Sequence, residues 1–238
     1  MNKILYVLTL IILTAPLYAQ DNKISINPNK FGAEINAGPS IPYGDFGSKD
    51  PYNESAGFAK LGYKIEANVS YHLIDVIDVY LMGFYNSNGT KLSALEDALK
   101  QKYGGIWTAG SRTWNTYGGF IGFEFSYPIY KKVSMGFRAY SGLLNSTAPE
   151  LKVSSGSDFY RQDEKTATSF SYIISLNGKY HLARNFFWVL SLDFLGSTAS
   201  FKDVNITEYI GGNTTVRTGT FSQDMRTFII STGPRITF

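Results

Sequence analysis

The chain has 238 residues, a formal net charge of only +3 and no cysteine, so disulfides and thiolate metal sites are excluded and nucleic acid is not an expected partner. Aromatic residues make up 16% of the chain, with 17 Tyr and 17 Phe, and charged residues make up 17%. A soluble domain is usually richer in charged residues. With 23 Gly in addition, the composition favours a β-sheet whose aromatic side chains meet a membrane interface.

The first residues have the pattern of a secretory signal peptide. Lys3 supplies a positive start, the segment Ile4–Leu13 is apolar apart from Thr9, and small residues follow as far as Ala19. We therefore predict a signal peptide over residues 1–19 and a single mature domain over residues 20–238. The alternative is an uncleaved N-terminal anchor, which is disfavoured because the apolar run falls short of the roughly 20 residues of a spanning helix.

Alternation of apolar and polar residues dominates the rest of the chain. Between Tyr63 and Tyr71, for example, Tyr, Ile, Ala and Val alternate with Lys, Glu, Asn and Ser, which is the period-2 pattern of a strand with two different faces. Eight such segments begin near Phe31, Tyr63, Ile77, Thr116, Val133, Phe170, Trp188 and Thr227. Each has about the 9–11 residues of a tilted membrane strand. They predict an all-β fold, a closed antiparallel up-and-down transmembrane β-barrel of eight strands.

The connections between these segments alternate in length. Three are short, at residues 72–76, 128–132 and 181–185, and four are long and polar, at residues 42–56, 87–113, 145–165 and 203–221. Outer-membrane barrels have short periplasmic turns and long extracellular loops. The asymmetry therefore predicts the orientation, and the even strand count puts both mature termini in the periplasm. In the second long loop, leucines at helical spacing predict a short helix over Lys91–Tyr103.

A soluble barrel such as a lipocalin also alternates, so the chemistry of the two faces must decide. Here one face carries bulky Phe, Ile and Leu, and the other carries Gly, Ser, Asn and Thr with scattered charges. Bulky apolar residues suit lipid, and small polar residues suit the narrow interior of an eight-stranded barrel.

Aromatic residues near the strand ends predict two interfacial belts. We place two sets of aromatic residues at the short-turn end and the other end, respectively: Tyr71, Tyr127, Tyr130, Tyr180, Phe186, Phe187 and Trp188, and Trp114, Tyr117, Tyr140 and Phe170. The alternative interpretation is that Tyr and Phe occur here simply as good strand formers.

The end of the chain carries an apolar face of its own, formed by Phe228, Ile230, Ile236 and Phe238. This face resembles the C-terminal signature by which the barrel-assembly machinery recognises outer-membrane proteins. The segment Phe31–Phe46 resembles the first strand and loop of the small β-barrel domains common in Bacteroidetes, which are called porin-family or OmpA-like barrels. The resemblance covers the mature chain and implies the fold, an outer-membrane location, and contact with outer-membrane lipid and lipopolysaccharide. It implies no particular activity.

Eight charged residues fall on the predicted inward faces, four of each sign. They are Glu34, Glu66, Glu124, Asp193, Lys64, Arg138, Lys179 and Arg235. An unpaired charge buried in a narrow lumen would cost several kcal/mol, so we expect ion pairs that plug the barrel. The alternative is a gated or selective conduit lined by the same residues.

Enzymatic and metal sites are not predicted. A serine hydrolase resembling the lipid A deacylases needs a histidine near the outer rim, whereas His72 and His181 both lie at predicted short turns. Two histidines without cysteine make a transition-metal site improbable, and no cofactor is predicted. Four loop aspartates could bind Ca²⁺ weakly, although solvated loop charges are the simpler interpretation: Asp45, Asp50, Asp158 and Asp163.

Two functional hypotheses follow from these observations. The first is a structural or surface-interaction role, in which the long extracellular loops contact lipopolysaccharide or an unknown protein partner. The second is a small-solute porin or gated channel. The length of the loops and the expected filling of the lumen favour the first.

Overall fold

The computed structural model describes residues 29–50, 52–53 and 55–238, so the predicted signal peptide and its cleavage site lie outside the described residues. A 3-10 turn follows the first strand at Gly44–Gly47, and a helix, α1, spans Leu92–Tyr103. The strands are β1 (Phe31–Tyr43), β2 (Ala59–Ile74), β3 (Ile77–Thr90), β4 (Thr108–Ser111), β5 (Trp114–Tyr130), β6 (Val133–Ala148), β7 (Leu151–Ser155), β8 (Asp158–Gln162), β9 (Lys165–Ala183), β10 (Phe186–Ile210) and β11 (Asn213–Thr237).

Eight of these strands form a closed antiparallel ring in the order β1, β2, β3, β5, β6, β9, β10 and β11. The last strand returns to the first, with Gly32 opposite Thr237 and Tyr43 opposite Arg226. Closure leaves the ring without an open edge, so its backbone amides and carbonyls are paired around the circumference. The prediction of an eight-stranded up-and-down barrel is confirmed.

One end of the ring carries the short turns. Only two residues separate β2 from β3, β5 from β6 and β9 from β10, at residues 75–76, 131–132 and 184–185. The described chain ends meet at this same end, where the Phe31 amide donates to the Phe238 carbonyl at 3.0 Å. The long connections lie at the opposite end, as the sequence predicts.

The long connections are more ordered than their sequence suggests. The predicted loop at residues 203–221 is wrong, because β10 continues to Ile210 and β11 begins at Asn213. The chain reverses at Gly211 and Gly212, whose φ angles of +57° and +87° are ones that L side chains rarely adopt. The predicted loop at residues 145–165 holds the β7–β8 hairpin, which extends the sheet from β10.

Helix α1 confirms the prediction of a short helix in the second long connection. It ends at Gly104, which has a φ of +72°. The Glu96 carboxylate accepts a hydrogen bond of 2.8 Å from the Ala109 amide and thereby fastens the helix to β4. No described helix has the length and apolar character to cross a membrane.

The outer surface of the ring is apolar, whereas its interior holds most of the buried polar side chains. Five large apolar residues from four different strands are between 52% and 64% exposed: Ile35, Leu81, Ile121, Phe123 and Leu190. Residues next to them in sequence, such as Glu34 and Glu124, are buried. Period-2 alternation thus separates an apolar outer face from an inner face that holds the charges, as predicted. The inner face is less polar than predicted, because it also carries large apolar side chains such as Phe84, Phe120 and Ile173.

The predicted second aromatic belt needs a correction. Trp114 and Tyr140 are only 7% and 5% exposed, because both side chains point into the barrel. Trp114 packs edge-on against Phe46, with 5.5 Å between the ring centroids. Tyr117 and Phe170 do face outward.

Candidate functional site

Arg138 crosses the barrel interior. Its Nη1 and Nη2 donate to the two oxygens of Glu34 at 2.8 and 2.9 Å, and its Nε donates to Glu124 at 2.7 Å. Glu124 lies directly opposite Arg138 in the β5–β6 ladder, whereas β1, which carries Glu34, is four strands away around an eight-strand ring. The guanidinium also lies over the Tyr80 ring, 4.6 Å from its centroid. One fully buried side chain therefore ties together opposite walls of the barrel.

A second ionic cluster surrounds Lys64. Its ammonium contacts Glu66 on the same strand and Asp193 on β10, the latter at 2.8 Å. The Asn36 amide donates to Glu34 at 2.6 Å and to Glu66 at 2.9 Å. Because Asn36 bridges the two carboxylates, the Lys64 cluster and the Arg138 cluster form one polar network.

Two further cations complete the network towards the short turns. The Lys179 ammonium contacts Glu124, and Arg235 Nη1 lies 3.7 Å from Glu34. Arg235 Nη2 donates to Asp78 and Ser70, each at 3.0 Å.

The structure brings all eight predicted charges into this buried network. Sequence reasoning missed Asp78, which also contacts His72 Nδ1 at 2.7 Å. The available signal was its position two residues before Tyr80, on the inward face of β3. That strand reads as apolar on both faces, which hid the charge.

An apolar cluster packs against the ionic network. Phe84 and Phe120, on the adjacent strands β3 and β5, have ring centroids 5.4 Å apart, and Tyr80 and Tyr140, on β3 and β6, have centroids 6.1 Å apart. The cluster comprises Tyr80, Met82, Phe84, Phe120, Tyr140, Leu144, Ile173, Leu195 and Ile229. These side chains occupy space that a solute would need in order to pass.

A second apolar cluster fills the end of the barrel that carries the long connections. Phe46, carried by the 3-10 turn after β1, is 1% exposed and packs in an apolar cluster with Trp114 and Phe201. The Trp114 ring centroid lies 6.2 Å from that of Phe201. The interior therefore holds an ionic network packed against one apolar cluster, with a second apolar cluster at the long-connection end.

The residues considered for catalysis and metal binding have other contacts. His72 pairs with Asp78, and the His181 ring stacks on Phe187 at 4.7 Å. Asp45 accepts from Asn53 at 3.0 Å. In the described part of the chain, no three His, Asp or Glu side chains come together in a way that could hold a metal ion.

The predicted assembly face lies on the outer surface of β11 and at the residue that follows it. Phe228, Ile230, Ile236 and Phe238 are all exposed, and Phe238 stacks on Phe31 at 6.2 Å. The face therefore flanks the seam where β11 meets β1. Recognition by the assembly machinery stays a prediction.

No protein-family model matches the chain. No curated protein matches it either. Several solved structures do. The major outer membrane protein of Thermus thermophilus is 13% identical, with a TM-score of 0.49, over 89% of this chain and 100% of that chain. Neisserial surface protein A is 14% identical, with a TM-score of 0.46, over 87% of this chain and 97% of that chain. Ail, the attachment invasion locus protein of Yersinia pestis, is 14% identical, with a TM-score of 0.41, over 87% of this chain and 99% of that chain.

These similarities are too distant to assign a role. The eight-stranded ring rests on the strand pairing of the chain itself. The attribution to Bacteroidetes receives no support from the comparisons.

Proposed function

We propose that this protein is an integral outer-membrane β-barrel with a plugged lumen, which acts through the structured surface at its long-connection end. One observation carries the proposal: the ring is inside out relative to a soluble barrel. A network of charges is buried in its interior, and its outer surface carries exposed large apolar side chains on every strand of the ring. Monomeric soluble proteins rarely expose contiguous apolar patches larger than a few hundred Å². A closed sheet with an apolar exterior suits a bilayer, because no unpaired backbone group faces hydrocarbon.

The orientation follows from the two ends of the ring. Short turns face the periplasm in outer-membrane barrels, which puts both mature termini there. Exposed aromatic side chains at that end, including Tyr71, Tyr130, Tyr180 and Trp188, suit an interfacial belt. The outer apolar surface would contact lipid and, in the outer leaflet, lipopolysaccharide. The barrel-assembly machinery would recognise the β11 face formed by Phe228, Ile230, Ile236 and Phe238.

The long-connection end offers a surface for interaction. The β10–β11 hairpin continues past the last β1 partner of β11, Arg226, to the turn at Gly211 and Gly212. Strands β8, β7 and β4 extend this hairpin sideways into a sheet. Large side chains such as Val216 and Ile106, 69% and 85% exposed, lie on this surface. We infer a protein or lipopolysaccharide partner outside the cell.

The location is tested by fractionation. The protein should sediment with outer membranes, give a β-rich circular dichroism spectrum in detergent, and migrate at different apparent masses before and after boiling. The reason is that a closed ring of paired strands resists detergent until it is heated. Recovery in the soluble periplasm, or a helical spectrum, would contradict the membrane assignment.

The surface role is tested by trimming the hairpin. Residues 205–218 are replaced by Asn-Gly, which joins Val204 to its partner Gly219 across a two-residue turn. The trimmed protein should remain heat-modifiable, because the paired ring below is unchanged. It should lose the proteins or lipopolysaccharide that the wild type retains after cross-linking on intact cells, as read by mass spectrometry. An identical set of cross-linked partners for both proteins would exclude the hairpin as the contact.

A further inference from the structure

The periplasmic mouth of the barrel holds a cavity of about 530 Å³, enclosed by the short turns and the ends of the strands. This volume lies within the roughly 300–1,000 Å³ typical of small-molecule sites. Six cationic side chains line it, against the two carboxylates of Asp75 and Asp78: Lys30, Lys131, Lys132, Lys179, Arg184 and Arg235. A cleft with an excess of one charge and low-dielectric walls focuses its field on a ligand of the opposite charge.

The cations come from separate segments that the ring brings together. Lys30 precedes β1, Lys131 and Lys132 form the β5–β6 turn, and Arg184 lies in the β9–β10 turn. In the part of the chain that the structure describes, no carboxylate pairs with any of these four. Unpaired cations from three separate segments therefore face one cavity, whereas a single turn would present only its own solvated charges.

The floor of the cavity is built from buried groups. Arg235 and Lys179 are 6% and 7% exposed and belong to the lumen network. Arg235 Nη1 donates no hydrogen bond, although Glu34 lies 3.7 Å away. Asp78 is already engaged by Arg235 and His72. Arg235 Nη1 is itself buried and lies close to the carboxylates of Glu34 and Glu124. An oxyanion entering from the periplasm would therefore meet the positive field of the floor and the free ammonium and guanidinium groups at the rim.

We propose that this mouth binds a soluble polyanion, a ligand with two or more neighbouring phosphate or carboxylate groups. The cavity lies inside the ring of strands, whereas lipid headgroups lie outside it, so a soluble ligand is favoured over a phospholipid. Lysine and arginine are the side chains that proteins use for phosphate. The inference goes beyond the surface role, which concerns the opposite end of the barrel.

Titration calorimetry with inorganic pyrophosphate tests the proposal on the purified full-length barrel in a neutral detergent, at constant ionic strength. The test variant is K131Q/K132Q/R184Q, which removes three exposed rim charges and leaves the lumen network intact. The matched control, K49Q/K100Q/K102Q, removes three exposed charges at the opposite end. Heat-modifiability confirms that each variant is folded.

We expect saturable binding by the wild type and the control, and about tenfold weaker binding by the rim variant, because it lacks three of the exposed cations that would pair with phosphate oxygens. Equal weakening in both variants, or no saturable binding by the folded wild type, would overturn the proposal. So would enrichment of phosphatidylglycerol around the barrel in vesicles without pyrophosphate binding, which would assign the rim cations to the membrane surface. Neither result bears on the surface role, which is tested by the hairpin.

Discussion

The Arg138→Ala variant is expected to lose about 3–5 kcal/mol of unfolding free energy, the typical cost of stranding a buried charge. Arg138 makes three short hydrogen bonds to Glu34 and Glu124 across the lumen. After its removal Glu124 retains Lys179, whereas the nearest remaining described cation for Glu34 is Arg235 at 3.7 Å. Urea unfolding in lipid vesicles, followed by tryptophan fluorescence, measures the loss.

Double variants identify which carboxylate depends most on Arg138 for its stability in the lumen. Adding Glu34→Gln to Arg138→Ala should recover much of the stability, because replacing both members of a buried pair costs far less than removing one. Adding Glu124→Gln instead should recover less, since Glu124 still has a cation and its neutralisation strands Lys179. The informative quantity is the difference in unfolding free energy between the two double variants. Water that enters the lumen lowers the cost of a stranded charge in both, so it affects this difference less than either absolute value.

The Arg138→Ala variant also distinguishes a plugged barrel from an open channel. Conductance of the wild type in planar bilayers should be small or absent, because Arg138 spans the lumen, the apolar cluster around Tyr80 packs against it, and Phe46 is buried in a second cluster at the long-connection end. If Arg138→Ala leaves stability unchanged and alters the ion selectivity of a steadily open pore, the plugged-barrel hypothesis fails and the small-solute channel takes its place.

The Phe123→Arg variant is expected to lose about 2–4 kcal/mol if the side chain lies at the bilayer midplane. Phe123 is 58% exposed in the central part of β5, where a guanidinium would have to leave water for hydrocarbon. Leu190→Arg on β10 should behave similarly, with a smaller cost nearer the interface. Unfolding in vesicles of defined thickness provides the measurement.

Phe123→Leu is the matched control, because it keeps the position apolar and removes volume where no tightly packed core surrounds the side chain. Its cost should be small. An arginine at the inward position Ser175, which faces Arg138 across the β6–β9 ladder, should act through crowding and charge in the lumen. Negligible costs for both Phe123→Arg and Leu190→Arg would mean that this surface does not face lipid.

Much of the fold is readable from the sequence because the signals concerned are local. The period of 2 along each strand assigns Glu34 to the interior and Ile35 to the exterior whatever the rest of the chain does. The alternation of short and long connections is equally visible, although the turns are shorter than predicted and the connection at residues 203–221 is mostly strand. The helix around Leu95 is visible as well. The inward position of each of the eight charges follows from the same alternation.

Long-range geometry decided what alternation leaves open. A strand pattern states which face a charge occupies, but only closure of the ring carries Arg138 of β6 across to Glu34 of β1 and Lys64 of β2 to Asp193 of β10. The β10–β11 extension escapes sequence analysis because its alternation is weak. Val204 and Ile206 on β10 stand among polar residues, and the paired segment of β11 at residues 213–220 is almost wholly polar. Alternation along β5 already assigns Trp114 to the interior with Thr116, and the tertiary structure adds Phe46 as its packing partner.

The cavity at the periplasmic mouth also depends on long-range geometry that local sequence signals do not reveal. Lys30, Lys131 and Arg184 are ordinary turn lysines and arginines along the chain, separated by about 50 residues or more. They line one cavity only because the eight-stranded ring returns every short turn to the same end. Side-chain facing is determined by the backbone within a strand, whereas the meeting of distant charges depends on how many strands close the ring and in what register.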